Sequence, residues 1–277
     1  MLSRRHFLGL TIKGIVVIGV GNTLQSFALR DFRLPAKKKV LLRFALASDG
    51  HFGQDKTPFL ANHDEMIGWL NKEQQQRGLA FSVINGDLFH DNPDFLLPVK
   101  QKWDELLMPY YVTHGNHDRV SDASWQQTFK IPYHHAYEQK NSAFLILNTA
   151  DETGKYICPD FAWTKEQLNR FQSKKHLFVF MHITPFKWTE HGIPCPELVE
   201  LFDKQTNLRG IFHGHDHDQD GMKEHNGKHY FFDSHIAGSW GTPYRGYRIV
   251  EVLKNGTILT YQMNPATDQQ VNNNTIG

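Results

Sequence analysis

Aspartate, asparagine and histidine residues recur in short clusters along the chain, and each cluster follows an apolar run. Carboxylate, amide and imidazole groups of this kind are ligands of divalent and trivalent metal ions. Seven such donors exceed what one tetrahedral ion accepts, so they indicate two five- or six-coordinate ions that share a carboxylate. The seven residues are Asp49, His51, Asp87, Asn116, His182, His215 and His217.

The donor types also narrow the choice of metal and of reaction. Oxygen and imidazole ligands without thiolate favour manganese, iron or zinc over calcium or copper(I). Two such ions, about 3.5 to 4 Å apart, clamp a phosphoryl group and generate hydroxide near neutral pH. The sequence therefore predicts a hydrolase that uses two metal ions on a phosphate ester.

Spacing within the clusters favours one shared site. In extended backbone, residues two apart point the same way, so Asp49 and His51 face one site together, as do His215 and His217. A glycine directly precedes Asp87 and His215, and it allows the tight backbone turn that brings these side chains together.

The apolar runs before the clusters are predicted to be buried strands, and amphipathic segments between them are predicted to be helices. The strands are expected at residues 40–47, 80–84, 110–113, 144–147, 177–181 and 209–212, and the helices at residues 64–76, 94–107, 164–173 and 196–204. Beyond residue 216 the chain is strand-rich, with runs at 228–233, 247–253 and 257–262. This alternation indicates an α/β fold, in which ligands bind at the carboxyl ends of the strands.

The ordered clusters together resemble the calcineurin-like metallophosphoesterases over residues 40 to about 262. The motifs that carry the resemblance are Asp49-x-His51, Gly86-Asp87, Gly115-Asn116-His117-Asp118, His182 with Pro185, and Gly214-His215-x-His217. The resemblance implies a four-layer αββα sandwich with two mixed sheets and a dinuclear metal centre. Gly50 departs from the commonest form of the first motif, where a larger residue stands.

The resemblance also implies how the ligands divide between the two ions. One ion takes Asp49, His51, Asp87 and His217, and the other takes Asp87, Asn116, His182 and His215. Asp87 then bridges the two ions.

His117 follows Asn116 in an extended loop and should point beside the ions rather than onto them. We expect it to act as a general acid or transition-state stabiliser, held protonated by Asp118 or another nearby carboxylate. Other polar residues flank the motifs and either orient the ligand imidazoles or are ordinary loop residues. They are His90, Asp91, His114, Asp118 and Asp216.

The expected function is that of an exported phosphodiesterase, similar to the small bacterial branch that includes cyclic-nucleotide phosphodiesterases. A phosphomonoesterase or protein phosphatase is the nearest alternative, because substrate choice depends on loops such as residues 53–62, 118–135 and 184–196. A metal-binding scaffold that has lost catalysis is an alternative of another class. Trp240, Tyr244 and Arg245 are interpreted as part of a glycine-rich turn, with a pocket rim for a base or phosphate as the alternative.

Charge and length limit the expected partners. Thirty lysines and arginines oppose 29 acidic residues, for a formal net charge of +1, so electrostatic binding to nucleic acid or anionic membrane is not expected. No apolar run reaches the roughly 20 residues of a membrane-spanning helix. The expected partner is a small phosphate ester, and the oligomeric state is left open.

The chain begins with features of a twin-arginine export signal. Arg4 and Arg5 precede an apolar stretch and the small residues of a cleavage site that ends at Ala28. We therefore expect a signal peptide at residues 1–28, a lead-in at 29–39, the catalytic domain at 40–265 and a polar, frayed tail at 266–277. The mature protein would be periplasmic or secreted in a bacterium.

Cys158 and Cys195 are the two cysteines of the chain. In an oxidising periplasm they pair if their Cα atoms lie within about 7 Å of each other. The sequence does not establish that distance, and two free, partly buried thiols are the favoured interpretation.

Overall fold

The computed structural model describes residues 15–20, 23–28 and 39–277, which fall into two compact units. In the first unit, strand β1 (Ile15–Val20) pairs with β2 (Thr23–Ala28) as an antiparallel hairpin. Arg4 and Arg5 lie outside the described residues, so the predicted export signal stays a prediction. The second unit begins at Val40 and contains all the predicted metal ligands.

One six-stranded sheet of the second unit combines parallel and antiparallel strands. Its order is β14 (Gln269–Ile276), β13 (Ile258–Asn264), β12 (Tyr247–Leu253), β3 (Val40–Ala47), β4 (Ser82–Asn85) and β5 (Tyr110–Thr113). The last three strands are parallel, and their carboxyl ends share one edge. The frayed tail predicted after residue 266 is wrong, because β14 pairs antiparallel with β13 over most of its length.

The second six-stranded sheet is also mixed. Its order is β10 (Met222–His225), β11 (Lys228–Phe232), β9 (Leu208–His213), β8 (His176–Met181), β7 (Ser142–Leu147) and β6 (His135–Gln139). Strands β11, β9, β8 and β7 run parallel, whereas β10 and β6 are antiparallel at the two edges.

Helices cover the outer face of each sheet and complete the four layers. Helices α1 (Phe59–Arg77), α2 (Leu96–Trp103) and α3 (Asp122–Phe129) pack on the first sheet, and α4 (Phe161–Arg170) and α5 (Pro196–Asp203) pack on the second. The predicted αββα sandwich with two mixed sheets is confirmed.

Phenylalanine rings fill the space between the two sheets. Phe44 of β3 stacks on Phe81 at 5.0 Å and meets Phe178 of β8 edge-on at 5.4 Å. These rings are at most 1% exposed. Aromatic pairs with centroids at these distances stabilise beyond their buried area. This core fixes the two sheets against each other and so sets where their carboxyl ends meet.

In the described part of the chain, no helix has the length and apolar character that crossing a membrane requires.

The two cysteines form a disulfide, so the interpretation of two free thiols is wrong. Their Cα atoms lie 5.8 Å apart. Cys158 stands in the loop between β7 and α4, and Cys195 stands directly before α5. The bond therefore joins two loops that leave the second sheet, although 37 residues separate them in sequence.

We predict that replacing both cysteines, Cys158→Ala with Cys195→Ala, lowers the free energy of unfolding by roughly 4 kcal/mol, because a loop of this length gains entropy in the unfolded chain. Denaturant unfolding under non-reducing conditions measures the change. Added reductant should bring the wild-type protein towards the variant and leave the variant unchanged. A difference below about 1 kcal/mol would contradict the expected constraint.

Candidate metal centre

The predicted ligands meet where the carboxyl ends of the two sheets adjoin. Strands β3, β4 and β5 of the first sheet and β8 and β9 of the second each run into one of the ligand motifs. The structure brings together Asp49, His51, Asp87, Asn116, His182, His215 and His217, and all seven are at most 8% exposed. The edge that supplies the ligands is therefore the one expected from the sequence.

One group of three ligands gathers around Asp49. Ligand atoms of Asp49, His51 and His217 all lie within 4.8 Å of one another. His217 Nε2 is 3.1 Å from Asp49 Oδ1 and 3.0 Å from His51 Nε2. This group matches three of the four ligands that the resemblance implies for one ion.

A second group gathers around Asp87. Ligand atoms of Asp87, His182 and His215 also lie within 4.8 Å of one another. Asp87 Oδ2 is 3.2 Å from His182 Nε2 and 3.6 Å from His51 Nε2, which belongs to the first group. The Asp87 carboxylate thus stands between the two groups, as a bridging ligand requires.

Buried lone pairs without partners show that the residues fit metal ions. Asn116 Oδ1, His182 Nε2 and His215 Nε2 are buried and make no hydrogen bond of regular geometry, although His182 Nε2 lies near the Asp87 carboxylate. A buried polar atom without a partner is costly, and most such atoms in proteins are paired. These three atoms belong to the second predicted ligand set, so a cation bound there would satisfy all of them.

Backbone carbonyls orient two of the imidazoles. His182 Nδ1–H donates to the Asn85 carbonyl at 2.7 Å, and His217 Nδ1–H donates to the Trp240 carbonyl at 3.2 Å. Such outer hydrogen bonds fix the tautomer and leave Nε2 free to bind a metal. Both rings therefore direct Nε2 towards the centre.

The carboxylates are held by backbone amides. The His215 N–H lies 3.0 and 3.1 Å from the two oxygens of Asp49, and the His117 N–H donates to Asp87 Oδ1 at 2.8 Å. Each carboxylate is thus fixed by the loop that follows another strand.

The electrostatics favour charged carboxylates and divide the imidazoles, because the pKa values of His51 and His215 are lowered whereas those of His182 and His217 are raised. Burial alone would raise the pKa of Asp49, but the facing His217 and His182 outweigh it and hold that pKa well below its ordinary value. Burial lowers the pKa of His51 and of His215 to about 3. Burial also opposes charge on His182, but Asp87 and Asp49 outweigh it and raise the pKa of His182 to about 10.

Four ligand residues adopt left-handed backbone. The φ angles are 60° at Asp49, 42° at His51, 50° at Asp87 and 66° at His215. Residues other than glycine rarely adopt this region, and such strain concentrates at functional sites. The strained backbone turns each strand end so that its side chain faces the centre.

Glycine is required beside one ligand. Gly86 has a φ of 88°, and a side chain there would overlap the ring of His182. At Gly50, the residue that departs from the common motif, a Cβ atom would lie only 2.8 Å from His63 Nε2. The buried His63 on α1 thus occupies the space that a larger residue at position 50 would need.

His117 lies beside the ligands. The carboxylate that it contacts is Asp91 and not Asp118, the partner that was named from the sequence. His117 Nδ1 is 2.9 Å from Asp91 Oδ1. The Asp118 carboxylate instead accepts backbone N–H groups from Phe89 at 3.0 Å and Gly115 at 2.9 Å. Asp118 therefore braces the loops, and Asp91 is the nearby carboxylate that faces His117.

The other residues that flank the motifs differ in whether they contact a predicted metal ligand. His90 Nδ1 lies 3.0 Å from Nδ1 of the ligand His51, and its ring stacks on His117 at 4.6 Å. His114 bonds Asn148 and the Asp118 carbonyl rather than a ligand. Burial raises the pKa of the Asp216 carboxyl.

The centre opens into a cavity of about 310 Å³. Several predicted metal ligands line this cavity together with His90 and His117. The remaining lining residues are Gln54, Tyr156, His191 and Trp240. Gln54 and His191 fall inside loops expected to set substrate choice, but the sequence did not single them out. Tyr156 was missed altogether, because no strand or motif precedes it and only the folded chain brings it to the site.

Residues 42–219 match the family model described as calcineurin-like phosphoesterase. Comparison with curated proteins gives no significant match. The fold is similar to that of a dimetal phosphatase from Danio rerio, with a TM-score of 0.67 and 11% identity over 86% of this chain and 99% of that one. It is also similar to a purple acid phosphatase from yellow lupin, Lupinus luteus, with a TM-score of 0.66 and 13% identity over 92% of this chain and 56% of that one.

We predict that Asp87→Asn loses metal from both positions, because the amide keeps the shape of the bridge but removes its charge. His217→Ala should weaken chiefly one position, since His217 belongs to the Asp49 group and not to the Asp87 group. Metal analysis of purified protein compares the two variants with His225→Ala, which removes a histidine outside the centre. Retention of two ions per Asp87→Asn chain would show that Asp87 is not the shared ligand.

Proposed function

The chain belongs to the calcineurin-like phosphoesterase family, and from this premise we propose that it is an exported, metal-dependent phosphodiesterase for small substrates. The observation that carries the proposal is the convergence of seven buried donors, three of them with ligand atoms that lack a hydrogen-bond partner. When bound, two ions of manganese, iron or zinc would offset charge on the phosphate oxygens and acidify a water molecule.

The character of the cavity favours a diester over a monoester. Among the described residues that line it, none is a lysine or an arginine. A phosphate monoester carries up to two negative charges near neutral pH, and arginine or lysine commonly binds such groups. A diester carries one negative charge, so it needs less positive charge from side chains in addition to that of the metal centre. Cyclic nucleotides are diesters of this kind.

Export is supported by the disulfide between Cys158 and Cys195. Disulfides persist in oxidising compartments such as the periplasm and are rare in the cytosol. The bond agrees with the arginine pair and cleavage site of the sequence, so we propose a periplasmic or secreted location in a bacterium.

Within this proposal, His117 donates a proton to the leaving oxygen. Its Nδ1–H donates to Asp91, which orients the ring and leaves Nε2 for the substrate. The Asp91 carboxylate is itself 3.1 Å from Arg119 Nε, which holds it in place. Burial and the neighbouring His117 lower the pKa of His90, whose ring stacks on His117.

We predict that protein reconstituted with manganese, iron or zinc hydrolyses bis-p-nitrophenyl phosphate with a higher kcat/KM than p-nitrophenyl phosphate. Cyclic nucleotides form a third arm of the assay, and chelator-treated protein is the control. A faster monoester reaction would favour a phosphomonoesterase. Two bound ions without turnover of any ester would favour the alternative of a metal-binding scaffold that has lost catalysis.

We predict that His117→Asn keeps both ions and loses on the order of 10²- to 10⁴-fold in turnover, as for removal of a general acid. The loss should be smaller for p-nitrophenyl esters than for alkyl esters, because p-nitrophenolate needs little protonation. Asp91→Asn, which keeps a hydrogen-bond acceptor but removes the charge, should show a smaller loss with the same dependence on leaving group.

Steady-state kinetics and metal analysis are measured on both variants and on His225→Asn, a histidine outside the cavity. Equal losses for the two classes of ester, or loss of metal together with activity, would contradict the assignment of His117 as the acid.

A further inference from the structure

An exposed tryptophan stands at the mouth of the cavity. Trp240 lines the cavity together with the metal ligands, and it is 45% exposed. Most of the large aromatic side chains in the described part of the chain are buried. An indole ring that remains open to solvent beside a cavity is typical of a ligand-binding surface.

The loop that carries Trp240 is anchored on both sides. The Ala237 N–H donates to the Asp49 carbonyl at 3.0 Å, and the Thr242 N–H donates to the His217 carbonyl at 2.8 Å. The loop is therefore tied to the backbone of two metal-ligand residues, and the position of Trp240 is fixed relative to the centre.

One face of the indole is already occupied. Its ring stacks on the ligand His217 with centroids 4.6 Å apart and the planes 4° from parallel. Packing against His217 accounts for that face but not for the exposed remainder of the ring. The uncovered surface borders the cavity.

Two more rings line the cavity next to Trp240. The His191 ring lies 5.9 Å from the Trp240 ring, tilted by 48°. His191 and Tyr156 both contact the ligand His215 edge-on, at 5.7 and 5.0 Å. Trp240, His191 and Tyr156 thus form one aromatic wall of the cavity beside the metal ligands.

The size and charge of this space define what it accepts. A cavity of about 150 Å³ holds a benzene molecule, so about 310 Å³ holds one phosphoryl group and one ring system. The lining residues supply no lysine or arginine for a second phosphate. The space therefore suits an ester with one phosphate and one aromatic group, and it does not suit a nucleoside polyphosphate.

We propose that Trp240 and His191 form a stacking subsite that selects phosphate esters with an aromatic or heteroaromatic group. This inference rests on the proposed function, since it places a phosphate at the metal centre. The glycine-rich segment interpreted from the sequence as a turn is thus also a pocket rim. Trp240 is the residue of this segment that lines the cavity at the metal centre. Tyr244 and Arg245 border a separate groove with Glu65 and Trp69.

The test compares the binding of phenylphosphonate and cyclohexylphosphonate, each as its singly charged monomethyl ester; the two are similar in size but differ in aromaticity. Calorimetry on the metal-loaded wild-type protein should give a Kd for phenylphosphonate on the order of tenfold lower, as expected for stacking on an aromatic side chain. Trp240→Ala should remove this preference, and Trp240→Phe should keep most of it. His191→Ala should reduce it.

Leu97→Ala provides the control, because Leu97 is an exposed apolar residue, 61% accessible, that does not line this cavity. It should retain the wild-type ratio of the two dissociation constants. Equal affinities in the wild-type protein, absence of binding of either phosphonate, or a parallel loss of both affinities in Trp240→Ala would overturn the proposal. Binding does not require turnover, so a wild-type protein that binds phenylphosphonate preferentially but hydrolyses no ester would refute the proposed function and leave the subsite standing.

Discussion

Two carboxylates buried side by side are the constraint on which the rest of this structure depends. Asp49 and Asp87 are at most 1% exposed, and charges so deeply buried are costly unless positive charge and hydrogen bonds compensate them. Backbone N–H groups from neighbouring loops supply part of the compensation, and imidazoles supply part. Neither group pairs with the buried Asn116 Oδ1 and His215 Nε2. The fold thus holds a cluster of buried polar groups that is unfavourable by itself, and bound metal ions would compensate its charge.

The cluster exists only because two separate sheets end at the same place. Each sheet alone contributes an incomplete set of ligands, carboxylates and an amide mainly from one and imidazoles mainly from the other. The phenylalanine core between the sheets is therefore as important to the centre as the ligands are, since it fixes the relative position of strand ends that lie far apart in sequence. A void among these rings would cost packing energy and would also allow the ligand groups to move relative to each other.

Sequence patterns predicted the parts of the fold that depend on local signals. Strands such as residues 40–47 and 110–113 were placed correctly, because a mostly apolar run followed by glycine and polar residues is a strong signal for a buried strand. Strand β14 was missed because its residues are mostly polar and exposed, and only pairing with β13 makes it a strand. Helix α3 was missed for a similar reason, since it is short and mixed in composition.

The site shows the same division. The ligands were predictable because each stands within a few residues of the end of a strand. The contact of Asp91 with His117, the disulfide and the rings of Tyr156 and His191 instead arise from tertiary packing. Loops far apart in sequence meet at these points, and nothing in their local composition indicates which loops will meet.

The left-handed backbone at four of the ligand positions limits which amino acids could ever replace them. Aspartate, asparagine and histidine are the types other than glycine that enter this region most readily, and all three are also metal ligands. Glutamate offers the same carboxylate chemistry but lacks this conformational tolerance, and its longer side chain would miss the ion. Among carboxylates, the backbone geometry therefore admits aspartate at Asp49 and Asp87. At these positions the backbone torsion angles limit the possible substitutions in addition to the requirements of metal binding.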